Sequence, residues 1–92
     1  MSRTFCFDLD GTICTQETAD YALATPIPGV IKRIQRLSTG GNRIIIWTAR
    51  GATSGRDWRS ATMHQLAEWG VPYDSLYFGK PAADVYVDDK AM

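Results

Sequence analysis

Short apolar runs alternate along the chain with stretches of helical periodicity. Thr4 to Leu9 (TFCFDL) is apolar until its carboxylates begin and reads as a first strand, broken by Gly11. Residues 13–27 are mixed and loop-like, closing on Pro26-Ile27-Pro28. Pro28 suits the first turn of a helix, where its missing N–H costs nothing. Val30, Ile31, Ile34 and Leu37 then share one helical face, with Lys32, Arg33 and Arg36 turned to solvent. Gly40-Gly41 ends that helix. Arg43 to Thr48 (RIIIWT) is the clearest strand, and its consecutive isoleucines predict burial on both faces, as in an interior parallel strand. Gly51 to Gly55 is a loop, and Ser54 with Asp57 resembles a capping pair. Trp58, Thr62, Leu66 and Trp69 mark one face of a second helix, stopped by Gly70 and Pro72. Ser75 to Phe78 (SLYF) and Asp84 to Val87 (DVYV) are short strands, and Asp88-Asp89 follow the last. The order β-α-β-α-β-β predicts an α/β domain built on a mostly parallel sheet of about four strands.

Composition narrows this further. At 92 residues the chain is one domain, spanning 1–92, with no internal repeat or linker. Its 10 basic and 10 acidic side chains cancel, which argues against a general nucleic-acid binder. No apolar stretch approaches the ~18 residues of a membrane span. The opening MSRTFCFDLDG meets two carboxylates early and is not a signal peptide, so a cytoplasmic setting is expected. Cys6 and Cys14 form no CxxC pair and read as reduced thiols.

The chemically suggestive residues all fall just past strand ends. Asp8 and Asp10 follow the first strand, Thr48 the second, Lys80 the third, Asp88 and Asp89 the fourth. In an open α/β sheet, ligands bind at that edge. Clustered carboxylates repel, and a hard cation such as Mg²⁺ relieves the repulsion. Gly11 lets the backbone turn closely past an anion, and Thr12 adds a donor. Together with Thr48 and Lys80 these groups form a cradle for a phosphoryl group. A carboxylate beside it can attack phosphorus while a second moves protons. Each residue alone has an ordinary reading: a solvated Lys80, a strand-end Thr48, an Asp pair in a turn. Their joint order is the signal. Residues 30–60 also carry Lys32, Arg33, Arg36, Arg43, Arg50, Arg56 and Arg59 against the lone acid Asp57. Arg50 and Arg56 flank the loop after Thr48 and suit an anionic substrate. Arg59 reads as a solvated helix start, His64 as surface or packing, and Trp58 and Trp69 as core.

These residues resemble the motifs of the haloacid dehalogenase (HAD) superfamily of phosphohydrolases. Asp8-Leu9-Asp10-Gly11-Thr12 is similar to its first motif, Ile46-Trp47-Thr48-Ala49-Arg50 to its second, Lys80 within Phe78-Gly79-Lys80-Pro81 to its third, and Val87-Asp88-Asp89 to its fourth. The phrases DGTIC, TARG, TSGRDW and FGKPAADVYVDDKA further resemble small phosphatases of capsular and surface-polysaccharide biosynthesis. The resemblance implies a Rossmannoid three-layer sandwich. It makes Asp8 the nucleophile and Asp10 the general acid/base, with Thr48 and Lys80 on the phosphoryl oxygens. It puts Gly11, Thr12, Ala49 and Arg50 against the substrate. Mg²⁺ would be held by Asp8, the backbone carbonyl of Asp10, and Asp88, with Asp89 assisting. The intervals after the first and second motifs are too short for a cap domain, so a capless member with an open site is expected. The substrate would be a small sugar or polyol phosphate, with no nucleic acid or membrane partner. The chain ends soon after the fourth motif, where relatives add elements, so an uncovered sheet edge makes a homo-oligomer an expectation. The competing readings are a receiver-like phospho-acceptor module, disfavoured by motif order, and a catalytically weak domain that retains the motifs.

Overall fold

The computed structural model describes residues 2–15, 21–51 and 55–79, and the backbone of 85–87. Four strands, β1 (Thr4–Asp8), β2 (Arg43–Trp47), β3 (Ser75–Tyr77) and β4 (Val85–Val87), form one sheet in the order β3-β2-β1-β4. Every pairing is parallel. Two helices, α1 (Pro28–Thr39) and α2 (Arg59–Glu68), connect β1 to β2 and β2 to β3, and a short 3₁₀ segment covers Tyr21–Leu23. This is the α/β Rossmannoid class that the β-α alternation predicts, and no cap domain interrupts it among the described residues.

Register explains where the core lies. Phe7 pairs with Ile46 and Phe5 with Ile44, so these four side chains point to one face. The steps β1→β2→β3 both move in one direction across the sheet, and right-handed crossovers then put α1 and α2 on the same face. Ile31 and Ile34 of α1, Leu66 of α2 and Val71 accordingly join Phe7, Ile44 and Ile46 in one buried cluster. Full burial of one such side chain contributes about 1.5–3 kcal/mol. Cys6 and Ile45, on the opposite face, are buried as well but stand outside that cluster. No helix on that face is among the described residues, which show one helical layer against the sheet.

Local chemistry sets the element ends. α1 begins on Pro28, and its C-terminal carbonyl at Leu37 accepts from Asn42 Nδ2 at 3.0 Å. Asn42 Oδ1 in turn accepts from the Arg3 N–H at 3.0 Å, tying the helix end to the start of β1. At α2, Asp57 Oδ1 accepts the Arg59 N–H at 3.0 Å. Asp57 thus quiets a helix-start donor by itself, and Ser54, its expected partner, lies outside the described residues. The first three expected strands prove one residue shorter at their site ends, while β4 ends at Val87 as expected. A last ladder bond carries the backbone onward there: Leu9 N–H to Trp47 O and Thr48 N–H to Tyr77 O, both 3.0 Å. No described helix is long and apolar enough to cross a membrane.

Candidate functional site

The site grows from the C-terminal tips of the two central strands. After Asp8 the chain folds tightly on itself: Ile13 and Cys14 both donate to Leu9 O, at 2.9 and 3.2 Å, and Gly11 donates to Cys14 O at 2.8 Å. Gly11 has φ +90°, a conformation other residues rarely adopt. Leu9 and Ile13 anchor this turn from below, both fully buried. Asp10 is thereby held against the loop that leaves β2.

That loop supplies Thr48 and Arg50, both buried. Thr48 Oγ1 donates to Asp10 Oδ2 at 2.8 Å and accepts the Arg50 N–H at 3.1 Å. Arg50 grips the same carboxylate side-on. Its Nη2 reaches Oδ1 at 2.8 Å, and its Nε reaches Oδ1 and Oδ2 at 3.0 and 3.2 Å. The remaining guanidinium donors go to Thr62 Oγ1 (3.1 Å) and Gln65 Oε1 (2.6 Å) on α2 and to Cys14 Sγ (3.8 Å). Gln65 Nε2 donates to Tyr21 O at 2.8 Å, and the Tyr21 ring lies 4.7 Å from Arg50 Cζ. The Tyr21 ring also meets Trp58 edge-on, centroids 5.0 Å apart. One buried ion pair therefore ties together the turn after β1, the loop after β2, the 3₁₀ segment and α2. Breaking such a pair from one side typically costs about 3–5 kcal/mol, because the other charge is left buried alone.

Cys14 belongs to this knot. Its thiol points to Leu9 O at 3.6 Å and Asp10 Oδ1 at 3.7 Å. Burial first, and then the Asp10 carboxylate, push its pKa up to about 12, so it remains a neutral thiol. Both cysteines are free, as the sequence suggests.

In front of the knot is a cleft of about 160 Å³ lined by Asp8, Asp10, Tyr21, Trp47, Ala49 and Arg50. A second cleft, about 270 Å³, shares Arg50 and continues along Gly51, Arg56, Asp57, Trp58, Arg59 and Phe78. A larger hollow of about 590 Å³ on the outer side of α1 has Lys32, Gln35 and Arg36 in its lining. Among the described residues its lining holds no carboxylate, and it lies on the helix's solvent side, so size does not locate the candidate site.

Four of the expected residues, Asp8, Asp10, Ala49 and Arg50, thus line one cleft. Thr48 stands behind them, bonded to Asp10. Gly11 and Thr12 form the turn, and Thr12 Oγ1 is buried with no hydrogen-bond partner among the described residues. Such an orphan is what a bound ion or water satisfies. Lys80, Asp88 and Asp89 lie outside the described residues. His64 is on the surface, 3.7 Å from Glu68, and Trp69 packs on the core. Sequence reading passed over Tyr21 and Gln65, and took Thr62 only as part of the packing face of the second helix. Thr62 and Gln65 sit three apart beside Leu66, polar residues within the core-facing side of α2, and that interruption was the available signal.

Among the described residues no group of three or more metal-ligand side chains assembles. The donors present nevertheless suit a hard cation: Asp8 faces the cleft, and oxygen ligands are what Mg²⁺ prefers. The Asp10 carboxylate is taken up by Arg50 and Thr48, which leaves the backbone carbonyl as the atom of this residue that could reach a cation.

Fold and strand-end cleft together define a Rossmannoid α/β domain. The chain is 30% identical to a crystallised target protein from Vibrio cholerae, with a TM-score of 0.74 over 98% of this chain and 82% of that one. It belongs to the same family as that protein. It also matches the fold of a conserved protein from Bacteroides thetaiotaomicron, at 21% identity and a TM-score of 0.75, over 98% of this chain and 78% of that one. A chain of the Pnkp1/Rnl/Hen1 complex shares the fold at 19% identity and a TM-score of 0.67, over 95% of this chain and 29% of that one. No family model and no curated protein matches the sequence.

Proposed function

We propose that the protein is a Mg²⁺-dependent phosphomonoester hydrolase of the HAD type, acting in the cytoplasm on a small sugar or polyol phosphate. The observation that carries this reading is the meeting of Asp8 and Asp10 in one cleft at the C-terminal edge of a parallel sheet. The phrases shared with capsular and surface-polysaccharide phosphatases point to that biosynthetic setting, and the missing cap suits a small substrate reaching an open site.

In this reading an Asp8 carboxylate oxygen attacks phosphorus and the P–O ester bond breaks. The leaving oxygen takes a proton from Asp10. Water then gives a proton to Asp10 and its oxygen attacks the phosphorus of the aspartyl-phosphate, releasing Asp8 and inorganic phosphate. Mg²⁺ held by Asp8, the Asp10 carbonyl, Asp88 and Asp89 would supply positive charge to the phosphoryl oxygens. Thr48 and Lys80 hold those oxygens in place. In the resting arrangement Arg50 and Thr48 occupy both Asp10 oxygens. Proton delivery therefore requires Asp10 to turn from Arg50, and the same turn releases the Thr48 hydroxyl for the phosphoryl group.

The test is phosphate release from a panel of sugar and polyol phosphates with Mg²⁺. Replacing Asp8→Asn is expected to lower the rate by about 10³-fold or more, since the nucleophile is lost. Equal rates would remove Asp8 from the mechanism. The tight hold on Asp10 favours one competing reading, a phospho-acceptor that forms aspartyl-phosphate without discharging it. A long-lived phosphoprotein after acetyl phosphate treatment, without turnover, would support that alternative.

A further inference from the structure

The second cleft is built differently from the first, and its construction suggests what it holds. Arg56 Cζ lies 4.3 Å from the centroid of Trp58, and Arg59 Cζ lies 4.8 Å from the centroid of Phe78. Both arginines are exposed. A guanidinium stacked on a ring keeps its charge and its planar fork of donors, while the ring limits the rotamers it must give up on binding. Asp57 is the acid in the cleft, and one of its oxygens accepts from the Arg59 backbone N–H. Among the described residues Arg59 forms no ion pair. The backbone is shaped to bring Arg56 here as well. Gly51 has φ +83°, and a Cβ at that position would collide with the Arg56 carbonyl, so only glycine lets the chain pass so close. Arg50 lines both clefts, so the second, a groove along Arg56 and Arg59, adjoins the first at that residue.

We infer that this groove binds a second anionic group of the substrate. The inference rests on the phosphohydrolase reading above and adds a substrate class to it: phosphomonoesters that carry, on the same small molecule, a further phosphate or carboxylate. The reacting phosphoryl group sits at Asp8, and the second anion lies between Arg56 and Arg59. An open site without a cap needs some means of choosing its substrate, and a paired-arginine anchor provides one.

Glucose 6-phosphate and glucose 1,6-bisphosphate, compared with Mg²⁺ present, provide the test. The parent is expected to show a KM at least about tenfold lower for the bisphosphate, as one charge-assisted contact predicts. Arg59→Gln should raise KM for the bisphosphate about tenfold more than for the monophosphate, and Arg59→Lys should recover part of that difference. A general structural defect would shift both substrates alike. Binding is read separately by two-dimensional NMR of the arginine Nε–H and tryptophan indole signals, titrating Asp8→Asn protein with each sugar phosphate. Turnover without preference for the bisphosphate, or equal effects of Arg59→Gln on both substrates, overturns the inference. No turnover, with bisphosphate still bound selectively in an Arg59-dependent way, retains the anion groove and overturns the hydrolase reading instead. No turnover and no selective binding overturns both.

Discussion

Arg50 and the pair Arg56 and Arg59 sit in adjoining clefts, yet they are used in opposite ways. Arg50 is 3% exposed, and every N–H of its guanidinium has an acceptor on Asp10, Thr62, Gln65 or Cys14. Arg56 and Arg59 are exposed, and their planes rest on aromatic faces. A guanidinium with all donors committed in a dry setting cannot bind a substrate without being unpaired, and here those donors fix the resting Asp10 carboxylate. Arg59, stacked on Phe78 and forming no ion pair among the described residues, suits capture of an anion. The same residue type thus fixes a buried carboxylate on one side of Gly51 and lies exposed on aromatic rings on the other.

Removing the buried member should have the largest effect. Arg50→Ala strands the Asp10 carboxylate and is expected to cost about 3–5 kcal/mol in urea unfolding, whereas Arg59→Ala should cost under about 1 kcal/mol. Adding Asp10→Leu to Arg50→Met should return part of the loss, because neither charge is then left alone. Similar costs at Arg50 and Arg59 would erase the distinction between the two clusters. Gly51→Ala ranks next. The strained φ and the clash with the Arg56 carbonyl predict a loss of about 1–3 kcal/mol, accompanied by weaker bisphosphate binding as Arg56 is displaced. Normal binding with reduced stability would mean that the loop does not place Arg56.

A further effect is a pH dependence confined to the buried knot. The Cys14 thiol loses its proton near its ordinary value of 9.0 in the unfolded chain, but only at about 12 in the folded one. Above pH 9 the unfolded state therefore binds fewer protons. The thiol's contribution, complete below pH 9, drains away as pH rises toward 12. Urea midpoints measured across that window should fall less steeply for Cys14→Ala than for the parent. Parallel slopes would show that the thiol is not held as the geometry indicates.

The fold was largely legible because periodicity is a local property. RIIIW could only be an interior strand, and a helix opening on Pro28 with Ile31 and Ile34 inward had one face to bury. The site's address was legible for the same reason, since polar groups fall where apolar runs stop. Arg50 was legible as important but not in its role. From sequence it reads as a substrate contact, and its distance of 40 positions from Asp10 hides the ion pair between them. Arg59 reads as a solvated helix start, and nothing local shows that Phe78 lies beneath it.

What the chain determines on its own is therefore the order of strands and helices and the set of polar residues delivered to one sheet edge, because both follow from neighbours a few residues apart. Which carboxylate is locked, which arginine is buried and which is left to capture an anion were decided only when α2 packed beside the loops after β1 and β2. Burial and hydrogen bonding between distant segments fix those outcomes, and no short window of sequence contains them.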